Sequence, residues 1–252
     1  MDRLQTELHR LYLPLAASSE GQYDPGETVR LIDADGRVRA MVVQLAQHAG
    51  WNGMAALWQG VQSDFGLPAP AVAVSGVNGY QLWLSMAEPV PLAQALAFLE
   101  ALRLRYLAGI DPRHIRMAPQ ANESAAPTQS IRRVPSVQGE SGRWSAFVAP
   151  GLAGMFADEP WLDMAPGTDA QAKLLASLKS IQPAEFQQAL DQLRPADAPP
   201  HRASASVAAN TAHDSQDPKR FLLAVMNDPA NELHLRIEAA KALLPYFERH
   251  PT

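Results

Sequence analysis

Two carboxylates one residue apart, Asp33 and Asp35, close an early apolar run. On a strand, residues i and i+2 point to one face. A pair so placed can hold divalent ions, magnesium or manganese, that activate an attacking hydroxyl and steady phosphate groups. Further on, Ala71 to Leu84 reads AVAVSGVNGYQLWL, two apolar runs around Ser75-Gly76-Val77-Asn78-Gly79, and its second run carries Gln81 two residues before Trp83. Neighbouring strands of this kind bring both carboxylates and the Gln81 amide onto one sheet face. The expectation is a shared hollow with these groups within roughly 10 Å, the reach of a metal-bound triphosphate.

The same residues also read as plain architecture. Asp33-Ala34-Asp35-Gly36 lies between two β-branched runs, and Asp and Gly tolerate the dihedrals of a tight turn, so the tetrapeptide is equally the corner of a hairpin. Tyr80 and Trp83 can stack on the bases of a single strand, or they can be core residues of an alternating strand. No phosphate loop of the Gly-Lys-Ser/Thr type, dinucleotide fingerprint or Gly-x-Ser-x-Gly elbow occurs. The chain has no cysteine, so disulfides, thiolate metal sites and a cysteine nucleophile are excluded.

The positioning elements follow from periodicity. Leu4, Leu8 and Leu11 predict an amphipathic helix ending before Pro14. Thr28–Ile32 and Val38–Val43 predict strands, and Met54, Leu57, Trp58, Val61 and Phe65 predict a helix that Gly66-Leu67-Pro68 stops. Pro91 suits the first turn of a helix carried by Leu92, Leu96, Leu99, Leu102 and Tyr106, with Gly109 as its C-terminal cap. Strands are expected at His114–Met117 and Arg143–Val148, a polar loop at Gln120–Gln129, and helices at Ala170–Ile181 and Pro183–Leu193. The order is that of an α+β protein.

With 252 residues, 47% hydrophobic and 19% charged, the chain can bury a sizeable core. The expected division is a domain at 1–193, a linker at 194–216 whose lack of large apolar side chains leaves its ordering entropy unbalanced, and a helical hairpin at 217–252. Asp217-Pro218 and Asp228-Pro229 are two helix starts of the capping-Asp, first-turn-Pro kind. The hairpin is neutral, and its apolar face of Leu235, Ile237, Ala240, Leu243, Leu244 and Phe247 suits helix packing or a protein partner's groove. No apolar run spans a membrane and no leader pattern opens the chain, so the expectation is a cytoplasmic protein without a membrane partner.

The formal net charge is -5, yet Ala101–Arg143 carries seven arginines, Arg113, Arg116, Arg132 and Arg133 among them, against three carboxylates. Such a local excess can contact phosphates in a salt-dependent way, or it can be a solvated surface.

Residues Val29–Pro119 resemble the core of archaeo-eukaryotic-type primases, the primase-polymerase superfamily. The Ser75…Tyr80-Gln81-Leu82-Trp83 segment is similar to the Ser-Pro-Gly-Asn-Tyr-Gln-Ala-Trp form of RepB-like replication primases of plasmids and phages. The resemblance implies an RRM-like, largely antiparallel sheet with flanking helices, and a nucleotidyltransferase site of Asp33, Asp35 and a third acid, nearest Asp111, with magnesium or manganese. It also implies nucleotide or nucleic-acid contacts at Ser75, Asn78, Tyr80, Gln81, Trp83, Arg113, Arg116, Arg132 and Arg133. Gln81 stands where the family has a phosphate-contacting histidine, and a neutral amide brings no positive charge. No lysine follows Arg116 as the family's Arg-rich segment has. The C-terminal FLLAVMNDPANELHLRIEAAKALLPYFERH is similar to a segment of small-terminase-like phage proteins, which implies a mobile-element context. Three functions are carried forward: a degenerate primase-like protein that binds single-stranded DNA or nucleotide without catalysis, an active metal-dependent primase or polymerase, and a non-enzymatic interaction scaffold.

Overall fold

The computed structural model describes residues 2–13, 28–47, 50–120 and 130–193; the expected linker and helical hairpin lie outside them, as does nearly all of the expected 120–129 loop. The architecture is α+β, with a five-stranded antiparallel sheet between two layers of helices. Its strands, in spatial order, are β5 (Ile115–Ala118), β2 (Arg37–Ala46), β4 (Gly79–Pro91), β3 (Ala71–Val74) and β7 (Ala146–Val148). A separate two-stranded ribbon joins β1 (Thr28–Arg30) to β6 (Ser130–Arg132).

The period-2 alternation of strands sorts side chains onto two faces. Met41, Val43 and Leu45 of β2, with Tyr80, Leu82 and Leu84 of β4, face a core closed by α2 (Gly50–Ser63), α3 (Leu92–Tyr106), the short α4 (Pro150–Ala153) and α6 (Pro183–Leu193). Ala40, Val42, Ala73, Trp83 and Phe147 face the opposite way, under α1 (Arg3–Leu11) and α5 (Thr168–Ala176). Leu4, Leu8 and Leu11 are the buried stripe of α1, as their spacing predicts.

Arginines tie this second layer together at helix ends, where carbonyls lack intrahelical partners. Arg39 donates to the carbonyls of Arg10 and Leu13, and Arg10 donates to those of Leu175 and Leu178. Burial lowers the pKa of Arg39 from its ordinary value.

Several details differ from the expectation. The helix expected at Ala170–Ile181 is Thr168–Ala176, and Ile181 forms a bridge to Met86 instead. The strand at Thr28–Arg30 leaves its hairpin neighbour after a single bridge, Ile32 to Val38, and pairs with β6 instead. The C-terminal cap of α3 is Leu107, whose N–H donates to the Arg103 carbonyl, and not Gly109. Strand β4 runs on to Pro91, with its ladder broken between Ala40–Ser85 and Val38–Val90, and Ile181 pairs with the bulged stretch through Ser85 and Ala87.

Candidate functional site: an arginine-lined hollow at one end of the sheet

On the α1/α5 face, the apolar positions lie under helices, while the ends of β2, β4 and β5 present a polar row. Gln44 pairs with Gln81 on one side and Arg116 on the other, so these three side chains share one face. Above this row is a hollow of about 560 Å³. Its walls are Arg113, His114 and Arg116 from the β5 side and Ile131–Val134 from β6 and the chain after it, with the Ser75–Asn78 turn, Gln138 and Ser145 completing the rim. Four arginines line it, and no aspartate or glutamate does.

The Ser75–Gly79 turn is built around one hydroxyl. Ser75 Oγ accepts the N–H groups of Val77, Asn78 and Gly79 at 3.0–3.2 Å, so these amides are already satisfied and the turn offers no backbone nest for an anion. Donors in the hollow are therefore side chains. Arg132 is oriented by the Val137 carbonyl at 3.1 Å and the Gln138 Oε1 at 3.2 Å. Gln138 in turn donates to Ser136 Oγ at 3.2 Å, within a buried Ser136–Ser145 pair. Among the described residues the Arg116 side chain makes no hydrogen bond or ion pair, and the residue is exposed.

Gln81 is 6% exposed, and its Oε1 accepts the Trp83 indole N–H at 2.9 Å. Trp83 itself does not reach the hollow: its ring is buried against Tyr12 and Phe147 at 5.2 and 6.1 Å between centroids, so the expectation that it contacts bases is corrected. Tyr80 contributes to the lining, yet its ring packs on Trp51 on the other face and its hydroxyl donates to the Ala153 carbonyl at 2.9 Å. It too is unavailable for stacking.

The acidic residues lie elsewhere. Asp33 and Asp35 sit in the turn before β2, and Arg37 opens that strand seven residues before Gln44, about 23 Å at the usual rise per residue. The shared hollow with Gln81 expected from sequence is thus corrected. The hairpin corner is what the residues build: Asp33 Oδ1 accepts the N–H groups of Asp35 and Arg37 at 3.0 and 2.8 Å, Gly36 takes φ +70°, and Asp35 is exposed. Asp111 caps the turn at Pro112–His114 by accepting the Arg113 N–H and also pairs with the Arg113 guanidinium at 2.7 Å; that guanidinium holds its carboxyl below the usual range. A two-metal centre does not fit this arrangement, because one carboxylate is committed to a turn, one faces solvent at the far end of the sheet and one is neutralised by an arginine. Among the described residues no group of three or more His, Asp or Glu side chains is placed to hold a cation.

The structure thus gathers Ser75, Asn78, Tyr80, Gln81, Arg113, Arg116, Arg132 and Arg133 around one hollow and leaves out Trp83, Asp33, Asp35 and Asp111. Sequence reasoning missed Gln44, His114, Gln138 and Ser145. Gln44 carried a signal, since it is the single polar residue in the apolar run Ala40–Ala46. No family model matches the chain, and no curated protein matches it.

Proposed function

We propose that this is a primase-like domain that binds single-stranded nucleic acid or nucleotide through the arginine-lined hollow and does not catalyse nucleotidyl transfer, in the mobile-element setting that the sequence resemblance implies. The observation that carries the reading is electrostatic: Arg116, Arg132 and Arg133 line one concavity with no carboxylate among the lining residues, while the fourth arginine there, Arg113, is paired with Asp111. Such a field attracts phosphate and focuses it at the mouth of the hollow. Amide side chains at Gln44, Asn78 and Gln81 add hydrogen-bonding groups of the kind that read base edges or phosphate oxygens. A polymerase reading needs carboxylates at the phosphate site, and the Asp33 turn enters β2 at Arg37, about 23 Å along the strand from Gln44.

The test is fluorescence anisotropy with a labelled oligothymidylate of twelve nucleotides, and competition by ATP, over a salt series. Wild-type affinity falls as salt rises, and Arg116→Ala and Arg132→Ala each weaken binding and flatten the salt slope by about one unit. Arg37→Ala, at the far end of β2, leaves both unchanged. Equal affinities for all four proteins, or no binding at about 50 mM salt, overturn the reading in favour of the interaction scaffold.

A further inference from the structure

The orientation of one buried amide determines what the hollow can accept. The oxygen and nitrogen of a glutamine side chain occupy equivalent positions, so its neighbours decide which way it points. For Gln81 the deciding neighbour is Trp83. An indole N–H is a donor only; at 2.9 Å from the amide it demands the oxygen. The indole cannot swing away, because its ring is 2% exposed and packed against both Tyr12 and Phe147, which also stack on each other. Nε2 and its two N–H groups are thereby left on the side of the hollow, which Gln81 lines. Among the described residues they meet no acceptor, although the residue is 6% exposed. Nε2 is itself not buried: it meets the solvent of the hollow, where a ligand that brings acceptors can take the place of water.

We infer that Trp83 is the positioning residue of this site: its indole N–H holds the Gln81 amide with Nε2 turned into the hollow, which makes the hollow a site for the acceptor oxygens of a phosphoryl group. The inference rests on the reading of the hollow as a phosphate-binding site and adds its selectivity. Arg116, one strand beyond Gln44 on the same face, and Arg132 on the opposite wall supply the charge. Gln81 supplies a neutral N–H that donates to an anionic oxygen. It discriminates against a ligand that presents a donor at that point, since two N–H groups then face each other with neither satisfied. Trp83 touches no ligand in this arrangement and acts through the amide alone.

The experiment is a double-mutant cycle on the full chain, with ATP and the labelled oligothymidylate as separate probes of free nucleotide and polymer. Trp83→Phe keeps an aromatic ring in the core and removes the N–H; Gln81→Ala removes the amide. Each single variant is expected to weaken binding about tenfold, the scale of one hydrogen bond to a charged group. In the Gln81→Ala background, Trp83→Phe is expected to weaken it no further, because there is no amide left to orient. A core defect alone would carry through unchanged to the double variant. A loss confined to the ATP arm or to the oligonucleotide arm supports the inference and identifies the source of the phosphate. Additive losses, or a Trp83→Phe protein that binds like wild type, overturn the positioning role while the hollow remains a binding site. A wild type that binds neither probe, while thermal unfolding shows it folded, overturns both.

Discussion

The Gln171 side chain closes the open edge of the sheet: its Oε1 accepts the Phe147 N–H at 2.8 Å and its Nε2 donates to the Phe147 carbonyl at 3.0 Å. Strand β7 is the last in the sheet, so these two backbone groups have no further strand to pair with. Buried polar groups left unpaired are costly, and a helix-borne amide imitates the missing neighbour. Gln171→Ala removes both bonds in a buried place and is expected to cost about 2–4 kcal/mol, read as a lower urea midpoint with an unchanged slope.

The Asp33 turn makes a prediction that separates stability from binding. Its Oδ1 satisfies two backbone N–H groups, so Asp33→Ala is expected to lose about 1 kcal/mol of stability with no change in nucleotide or oligonucleotide affinity. Asp35 is exposed and its side chain makes no hydrogen bond among the described residues, so Asp35→Ala stays within about 0.5 kcal/mol of wild type. A metal-dependent loss of binding in either variant would return these carboxylates to the site.

These two residues show where sequence was informative. The hairpin corner was legible because Asp and Gly leave a local signature, and the helices were legible because Leu4, Leu8 and Leu11, or Met54, Leu57 and Val61, repeat at the helical period. The α+β class followed from those elements. The hollow was harder to see, because its two walls come from distant parts of the chain. Arg132 reaches it on β6, a three-residue strand paired with β1 about a hundred residues earlier, and so short a strand carries no period of its own. The types of Asp33 and Asp35 allow a strand beside Gln81 as well as a hairpin corner, but pairing register decides which end of β2 they occupy. In antiparallel pairing Gly79 meets Ala46 and Pro91 meets Arg37, which places the start of β2 at the end opposite the β3–β4 turn.

That register also makes Gly79 hard to replace. A Cβ there would run into the Leu45 carbonyl oxygen and the Ala46 Cα of the paired strand. Both obstacles are backbone, so the strands themselves must separate. Gly79→Ala is expected to cost about 3 kcal/mol, the upper part of the range for forced overpacking, and to weaken ligand binding because Gly79 borders the hollow. Gly109 is the control. An added Cβ meets nothing within 4 Å there, and Gly109→Ala is expected to raise stability by about 0.4–1 kcal/mol by restricting the unfolded chain. Thermal unfolding of the two variants beside wild type checks both.

On the other side of the sheet, Asp64, Arg105 and Tyr106 join the ends of α2 and α3, and their titration gives a pH prediction. Asp64 accepts the Tyr106 hydroxyl at 2.7 Å and the Arg105 guanidinium at 2.9 Å, and these bonds, the Tyr106 hydroxyl first, hold its carboxyl below the usual range. Burial of the ring, reinforced by the carboxylate it donates to, pushes the Tyr106 phenol up to about 12. For Asp64 the folded value is the lower one, so its contribution is complete above the ordinary carboxylate range and fades as pH falls through the folded value. For Tyr106 the folded value is the higher one, so its contribution is complete below about 10 and is lost as pH rises towards 12. Alkaline titration followed at 295 nm should therefore contain a late Tyr106 step near 12, beside those of Tyr12 and Tyr80, whose phenols burial also pushes up. In Asp64→Asn, which removes the charge but keeps an acceptor, that step should move to lower pH, and the acid limb of the stability profile should flatten. A Tyr106 step that stays near 12 in Asp64→Asn would assign the shift to burial alone.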